Sequence, residues 1–258
     1  MSVAINLASP GLANRIKTYM SCFSRFDEVR TLKDADTYIF SNIKMCSENE
    51  FNKCPHFDNW RLYLSDEDLK YREDYKYIDL LYENTPKYFI DKYNKILDKL
   101  QINEEILQYV ENFSKDWEKT IGLHVRSWYC DRKEWHSNEL FENIIDNLDP
   151  NLKIFLCGDN REVIDHFSDR YGNRIIIHDQ EKYSNPHLAE SGHNNSIQTN
   201  VDAFIDLLLL SKCDTIVGTY ASTFSEVAWW FGRCNSKVII PEPSNVPLEF
   251  KERIFAKI

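Results

Sequence analysis

Three short segments of the chain combine residue types that could bind a phosphorylated ligand. His124 and Arg126 close an apolar run, and an arginine there offers a forked, permanently charged donor suited to phosphate. Asp159 follows Phe-Leu-Cys-Gly, and its carboxylate can accept from the paired N–H donors of a base such as guanine. Residues 222–225 (Ser-Thr-Phe-Ser) begin an apolar helical stretch, where hydroxyl and backbone N–H groups form an anion site.

Each of these signals has an ordinary structural explanation when it is taken alone. Strand-terminal histidines and arginines commonly make structural ion pairs, Ser/Thr runs cap helices, and an aspartate after a glycine often forms a turn. The three segments gain weight because all of them follow predicted strands, in order, in the second half of the chain.

The second half of the chain alternates between strand and helix patterns. Strands are predicted at 120–126, 152–157, 174–178, 215–218 and 237–240, and helices at 138–148, 162–171, 201–210 and 222–231. This alternation predicts a parallel, doubly wound α/β sheet, in which ligands bind beyond the carboxyl ends of the strands.

The first half of the chain opens with a strand, a glycine-containing turn and a helix. Its apolar spacing predicts a strand at 2–8, a helix over 12–26, a short strand at 37–40 and helical segments over 85–113. A boundary is expected near 113–119, which divides the chain into an N-terminal domain, 1–117, and a C-terminal domain, 118–258.

The composition fits a soluble α/β protein and disfavours several classes of partner. The chain has 258 residues, 43% of them hydrophobic, and a formal net charge of -10. No dense Lys/Arg cluster supplies the basic surface that nucleic acid requires, and no apolar run reaches membrane-spanning length. Seven cysteines without a Cys-x-x-Cys pair indicate reduced thiols, and we expect a cytoplasmic protein without a secretion signal.

The order of these motifs resembles the C-terminal domain of the fucosyltransferase-like superfamily. The motifs are His-x-Arg at 124–126, Phe-Leu-x-x-Asp at 155–159, Asp-x-x-Leu-Leu-Ser-x-Cys-Asp at 206–214 and Ser-Thr-Phe-Ser at 222–225. The superfamily includes the α1,6-fucosyltransferases, the bacterial nodulation fucosyltransferase and the protein O-fucosyltransferases. Gly-Leu-Ala-Asn-Arg at 11–15 resembles the N-terminal loop that faces the donor in the same group.

The resemblance implies a GT-B glycosyltransferase. Its fold would be two Rossmann-like doubly wound domains with the nucleotide-sugar cleft between them and an abbreviated N-terminal domain. Its reaction would be the inverting transfer of a sugar, with L-fucose from GDP-fucose expected, onto a hydroxyl group of a glycan acceptor. The resemblance implies no cofactor and no metal, because cationic and amide donors replace a metal at the leaving diphosphate.

The resemblance also assigns roles to residues at matching positions. Arg126 matches an arginine on the donor β-phosphate, His124 a histidine beside the nucleotide, and Asp159 an acidic residue that binds the base. Asn14, which precedes Arg15 in the donor-facing loop, matches a polar residue near the departing phosphate. The loop that holds the diphosphate corresponds to Ser222, Thr223, Phe224 and Ser225.

An inverting transfer needs a base that takes the proton of the acceptor hydroxyl. The loop after Arg126 supplies Asp131 and Glu134, and Glu134 stands at the spacing of a base candidate in the α1,6-type relatives. Glu134 is equally consistent with a solvated loop carboxylate. Ser127 stands where many relatives have a second arginine, which leaves the donor preference open.

Several alternatives stay open at this stage. The same fold could use a UDP-sugar or another GDP-sugar, or it could be a non-catalytic module that binds a nucleotide sugar or a glycan. Asp34-Ala-Asp36 has the form of the metal motif of GT-A glycosyltransferases, although no apolar strand precedes it. No Gly-x-Gly-x-x-Gly, Walker or Gly-x-Ser-x-Gly motif indicates an oxidoreductase, a P-loop NTPase or a hydrolase.

Overall fold

The computed structural model describes most of the chain and divides it into two compact units. The described residues are 2–5, 11–52, 62–63, 77–78, 80–126, 136–159, 161–180 and 196–243. The first unit contains the described residues of Met1–Tyr109 and Asn195–Phe204, and the second contains those of Val110–Asn194 and Ile205–Pro247.

The first unit is built on a small parallel sheet. Strands β1 (Ser2–Ile5), β2 (Glu28–Thr31) and β3 (Ile43–Met45) pair in that order, and β4 (Leu62–Tyr63) and β5 (Tyr77–Ile78) form an antiparallel pair. The helices are α1 (Leu12–Phe23), α2 (Asp34–Ile39), α3 (Glu48–Phe51), a 3-10 turn at Tyr82–Asn84, α4 (Lys87–Leu97) and α5 (Glu104–Ser114), which ends in the second unit. The predicted opening of strand, turn and helix is therefore present.

The strand predicted at 37–40 is wrong, because α2 occupies most of that segment. Ala35 and Ile39 are both buried, and their spacing of four residues places them on one face of a helix. Extended backbone begins only at Phe40, which forms an isolated bridge with Ile102. The same bridge interrupts the helical segment predicted over 85–113 and separates α4 from α5.

The second unit contains a five-stranded sheet in which every strand pair is parallel. Its strands are β6 (Thr120–Val125), β7 (Lys153–Gly158), β8 (Ile175–Ile177), β9 (Thr215–Val217) and β10 (Lys237–Ile239). Their spatial order is β10-β9-β6-β7-β8. Its helices are α6 (Asn138–Ile145), α7 (Arg161–Tyr171) with a 3-10 turn at Gly172–Arg174, α8 (Ile197–Ser211), which begins in the first unit, and α9 (Thr223–Phe231).

Helices pack on both faces of β6, the central strand, all six residues of which are buried. One face carries Ile121, Leu123 and Val125, which join an apolar core with residues of α6 and α7. The other face carries Gly122, against which Leu210 of α8 packs, and His124, which contacts α9. The doubly wound α/β sheet predicted from the sequence is thus confirmed. None of the described helices is long and apolar enough to span a membrane.

Candidate functional site

The strand order of the second unit defines where a ligand would bind. From β6 the chain proceeds outward to β7 and β8, and it then returns to the other side of β6 to form β9 and β10. The direction of winding therefore reverses between β6 and β9. In open parallel sheets, ligands bind at the carboxyl ends of the two strands that flank such a reversal. Two of the three segments singled out in the sequence follow these two strands.

Arg126 lies directly after β6, and hydrogen bonds hold its backbone on both sides. Its N–H donates to Oγ1 of Thr219 at 2.9 Å. Its carbonyl oxygen lies 3.1 Å from Nδ1 of His136, a buried residue, so that the imidazole N–H can donate to it. The side chain of Arg126 is half-buried at the edge of the sheet where the strand order reverses.

The segment after β9 forms a tight loop that begins α9. The N–H of Ser222 donates to the carbonyl of Thr219 at 3.2 Å, and Ala221 inside this turn has a φ of 59°. Ser222 caps α9, and its hydroxyl accepts from the N–H of Phe224 at 3.4 Å. The loop thus directs the N-terminal end of a helix, with its partial positive charge, toward the carboxyl edge of the sheet.

His124, the last residue but one of β6, is fixed by the first turn of α9. Its Nδ1 lies 2.8 Å from Oγ of Ser225, and its ring stacks on Phe224 with centroids 4.7 Å apart. This approach of α9 to β9 requires the glycine at 218. A Cβ on Gly218 would lie 2.6 Å from Oγ of Ser225. The structure therefore brings together the predicted residues His124, Arg126, Ser222, Thr223, Phe224 and Ser225.

Asp159 follows β7, the strand beside β6 on the side away from β9, and it is half-buried. It therefore lies at the predicted edge of the sheet, one strand away from the reversal. A buried polar cluster that was not predicted from the sequence lies after the neighbouring strand, β8.

The missed cluster consists of His178, Gln180 and Asp206. His178 follows β8, and its Nδ1 lies 3.0 Å from Oδ1 of Asp206 on α8. The side-chain amide of Gln180 donates to Oδ2 of Asp206. All three residues are at most 4% exposed. Asp206 is part of the motif quoted at 206–214, but the two residues that hold it lack any pattern in the sequence.

The two N-terminal candidates, Asn14 and Arg15, lie on α1 in the first unit. Arg15 is 3% exposed, and its guanidinium binds Asp36 through two hydrogen bonds of 2.7 and 2.8 Å and Asn200 through one of 2.7 Å. Burial opposes its charge, but Asp36 and Tyr19 together outweigh burial, and the pKa of Arg15 is raised. Tyr19 also donates to Asp36. Arg15 thus has a structural role, and its predicted contact with the donor stays a prediction.

Asn14 is half-buried, and its backbone carbonyl accepts from the hydroxyl of Thr18 at 3.0 Å, a bond within α1. The two candidate bases, Asp131 and Glu134, lie outside the described residues. In the described part of the chain, no three His, Cys, Asp or Glu side chains form a group that could hold a metal ion. Asp36 of the DxD-like sequence is buried against Arg15.

The fold is that of known fucosyltransferase structures. NodZ α-1,6-fucosyltransferase, a Bradyrhizobium protein crystallised with GDP, superposes with a TM-score of 0.53 and 17% identity over 88% of this chain and 92% of that chain. Arabidopsis thaliana FUT1 in complex with GDP has a TM-score of 0.59 and 13% identity over 94% and 71% of the two chains. POFUT1 in complex with GDP-fucose has a TM-score of 0.50 and 10% identity over 93% and 98%.

No protein-family model and no curated protein sequence matches this chain. At 10–17% identity, the similarity to the three structures shows the fold alone. The resemblance to the fucosyltransferase-like group, predicted from the motifs, is confirmed at that level. The abbreviated N-terminal domain stays a prediction.

Proposed function

We propose that this protein is a glycosyltransferase that uses GDP-fucose as its donor and transfers L-fucose to a hydroxyl group of a glycan acceptor. The observation that carries the proposal is the position of Arg126 and of the 219–225 loop at the reversal of strand order. The fold matches structures of fucosyltransferases that were determined with GDP or GDP-fucose. The proposed donor follows from that match, and the proposed binding residues follow from the geometry.

The proposed site stabilises the diphosphate as the sugar leaves. Charge develops on the phosphate oxygens when the glycosidic bond breaks, and preorganised donors that are aimed at this charge lower the barrier. Arg126 supplies a guanidinium, and the start of α9 supplies backbone N–H groups and the hydroxyls of Ser222 and Thr223. We propose that these donors act without a metal ion.

The other proposed roles rest on the resemblance. Asp159 is proposed to bind the base, because a carboxylate can accept two N–H donors from guanine. Glu134 or Asp131 is proposed as the base that takes the acceptor proton, which would make the transfer inverting. Asn14 is proposed to lie near the departing phosphate. The acceptor-side role of the N-terminal domain and the nucleotide-binding role of the C-terminal domain are proposals of the same kind.

Calorimetric titration with GDP and with UDP tests the donor site. The wild type is expected to bind GDP in the micromolar range, about -8 kcal/mol, and UDP more weakly. Arg126→Ala is expected to lose about 10- to 100-fold in GDP affinity, the equivalent of a charge-assisted hydrogen bond. Arg126→Lys is the matched control, because it keeps the charge without the fork and should recover part of the loss. Preferential UDP binding would overturn the proposed donor.

Turnover is tested separately by incubating the protein with GDP-fucose and glycan acceptors and by measuring GDP release. The proposal expects acceptor-dependent release that persists in EDTA, and loss of release in Glu134→Ala or Asp131→Ala with GDP affinity retained. GDP binding without release in the wild type would instead support a non-catalytic nucleotide-sugar-binding module.

A further inference from the structure

Thr219 lies where β9 stops pairing with β6. The two strands pair as far as Leu123 and Val217. The next residue, Gly218, donates its N–H to the carbonyl of Ile239 in β10 at 3.0 Å, and the chain then turns into the loop that begins α9. The end of β6 extends beyond the last residue of β9 that pairs with it, so its backbone groups on that side need other partners.

The hydroxyl group of Thr219 supplies both of the missing partners. It donates to the carbonyl of His124 at 2.8 Å and accepts from the N–H of Arg126 at 2.9 Å. A carbonyl and the N–H two residues further on face the same neighbouring strand in a β-ladder, so a single atom can reach both. Thr219 is 1% exposed, and water does not compete for these bonds.

We propose that Thr219 is a positioning residue whose hydroxyl clamps the end of β6 and thereby aims Arg126 at the anion-binding start of α9. The inference rests on the proposed function for the identity of the ligand. The clamp itself is a property of the second unit, and it joins the segments after the two strands that flank the reversal. His136 holds the following carbonyl, so the direction of the chain at Arg126 is fixed from two sides.

The side chain at position 219 needs a hydroxyl group to make both of these hydrogen bonds. It donates one hydrogen bond and accepts others, whereas the valine side chain has nearly the same shape and can do neither. A valine would remove the hydrogen bonds that the His124 carbonyl and the Arg126 N–H make to Thr219, and the loss of such bonds is costly. The end of β6 would then shift toward other partners and would carry Arg126 with it. Serine keeps both hydrogen bonds and serves as the matched control.

GDP titrations of five proteins test whether Thr219 acts through Arg126. The wild type is compared with Thr219→Val, Thr219→Ser, Arg126→Ala and the double variant Arg126→Ala/Thr219→Val. Thr219→Val is expected to weaken GDP binding about 10- to 100-fold, as a small misplacement of a binding group does, and Thr219→Ser is expected to stay near the wild type. The double variant should bind no more weakly than Arg126→Ala. Additive losses, or an unaffected Thr219→Val, would overturn the proposal.

Hydrogen exchange of the ligand-free protein tests whether Thr219 holds the end of β6, and this test does not require that the protein binds a nucleotide. The Arg126 amide is expected to exchange faster in Thr219→Val and at the wild-type rate in Thr219→Ser, with exchange in β8 unchanged. Unaltered exchange at Arg126 in Thr219→Val would refute the clamp. Failure of the wild type to bind GDP would refute the proposed function alone. If Thr219→Val does not fold, Thr219→Ala also removes the hydroxyl and replaces it in both measurements.

Discussion

Arg15 and Arg126 differ in how the fold holds them, although the sequence analysis assigned both to the same ligand. Arg15, in the first unit, is buried, and its guanidinium binds Asp36 and Asn200. Arg126, in the second unit, is half-buried, and the bonds that fix its position pass through its backbone N–H and carbonyl. The first arrangement uses the charge of the side chain to hold the protein together, and the second anchors the backbone from which a charged side chain extends.

The difference shows what a ligand-binding arginine needs from its surroundings. A guanidinium that saturates a buried carboxylate compensates a charge that would otherwise be very costly. A guanidinium that must meet a substrate phosphate needs a rigid backbone beneath it, because the affinity depends on placement. Substitution of Arg15 is therefore expected to lower the stability of the protein, whereas substitution of Arg126 is expected to lower its affinity for the ligand.

Arg15→Met should have the largest effect on stability. It removes the charged partner of the buried Asp36 and leaves the neutral donor Tyr19, and breaking a buried ion pair from one side typically costs about 3–5 kcal/mol. Arg126→Ala, in contrast, should change the free energy of unfolding by less than about 1 kcal/mol while it weakens GDP binding. Denaturant unfolding monitored by circular dichroism measures both.

The double variant Arg15→Met/Asp36→Leu serves as the control for this first prediction. Apolar replacement of a whole buried pair is often neutral, so the double variant should recover most of the loss. A stable Arg15→Met protein with impaired GDP binding would contradict the structural role and would support the donor contact implied by the resemblance.

The second prediction distinguishes the roles of Asp159 and Asp206, the two carboxylates near the carboxyl edge of the five-stranded sheet. Asp159→Asn is expected to reduce the preference for GDP over UDP about tenfold or more, because the amide cannot accept two N–H donors from guanine. Asp206→Asn changes a carboxylate already held by His178 and Gln180. Titration of both variants with GDP and UDP measures the preference. If only Asp206→Asn abolishes it, the base contact belongs to the buried cluster instead.

The parallel sheet was predictable because its signal is local. The run at β6 is mostly apolar and is buried over its whole length, as expected for a strand covered on both faces, and segments with helical spacing separate the predicted strands. The segment at 37–40 was not predictable in the same way. Its Thr-Tyr-Ile-Phe sequence has high strand propensity, but burial of Ala35 and Ile39 on one helical face outweighs that propensity.

The residues of the candidate site that belong to a sequence motif were predictable. The residues that contribute a single hydrogen bond to the backbone were not. The sequence indicated Arg126 and residues 222–225, because strand ends and helix starts carry patterns. Thr219 and His136 act through individual hydrogen bonds to backbone groups that are close in space. Such bonds depend on the path of both chains and have no periodicity or spacing that would mark them.

The third prediction concerns the close approach of α9 to the end of β9, on which the candidate site of the second unit depends. Gly218→Ala is expected to destabilise the protein by about 1–3 kcal/mol, because the new Cβ would lie 2.6 Å from Oγ of Ser225 and 2.8 Å from Cδ1 of Ile240. Gly11→Ala is the control, since nothing lies within 4 Å of a Cβ at that position and its φ of -58° suits alanine. Thermal unfolding of both variants measures the difference. Equal unfolding temperatures would show that α9 does not need this contact.

The smallest predicted effect compares buried thiols in the two units. Burial raises the pKa of Cys22 in the first unit to about 12, and burial also raises the pKa of Cys213 in the second unit. An unfolded thiol ionises near pH 8.5, so above that pH the unfolded state gains thiolate while the folded state does not. Each thiol should therefore make stability fall by about 1.4 kcal/mol per pH unit between the unfolded and the folded pKa, and have no such effect below pH 8.

Cys22→Ala and Cys213→Ala should each flatten this alkaline decline without changing its onset. The free energy of unfolding, measured from pH 7 to pH 10.5, gives the slope, and comparison of slopes removes the constant cost of the small cavity that alanine leaves. If only one variant flattens the slope, the other cysteine does not contribute to the alkaline decline. The unit that contains that cysteine then opens to water before its thiol ionises. The comparison would then rank the two units by stability.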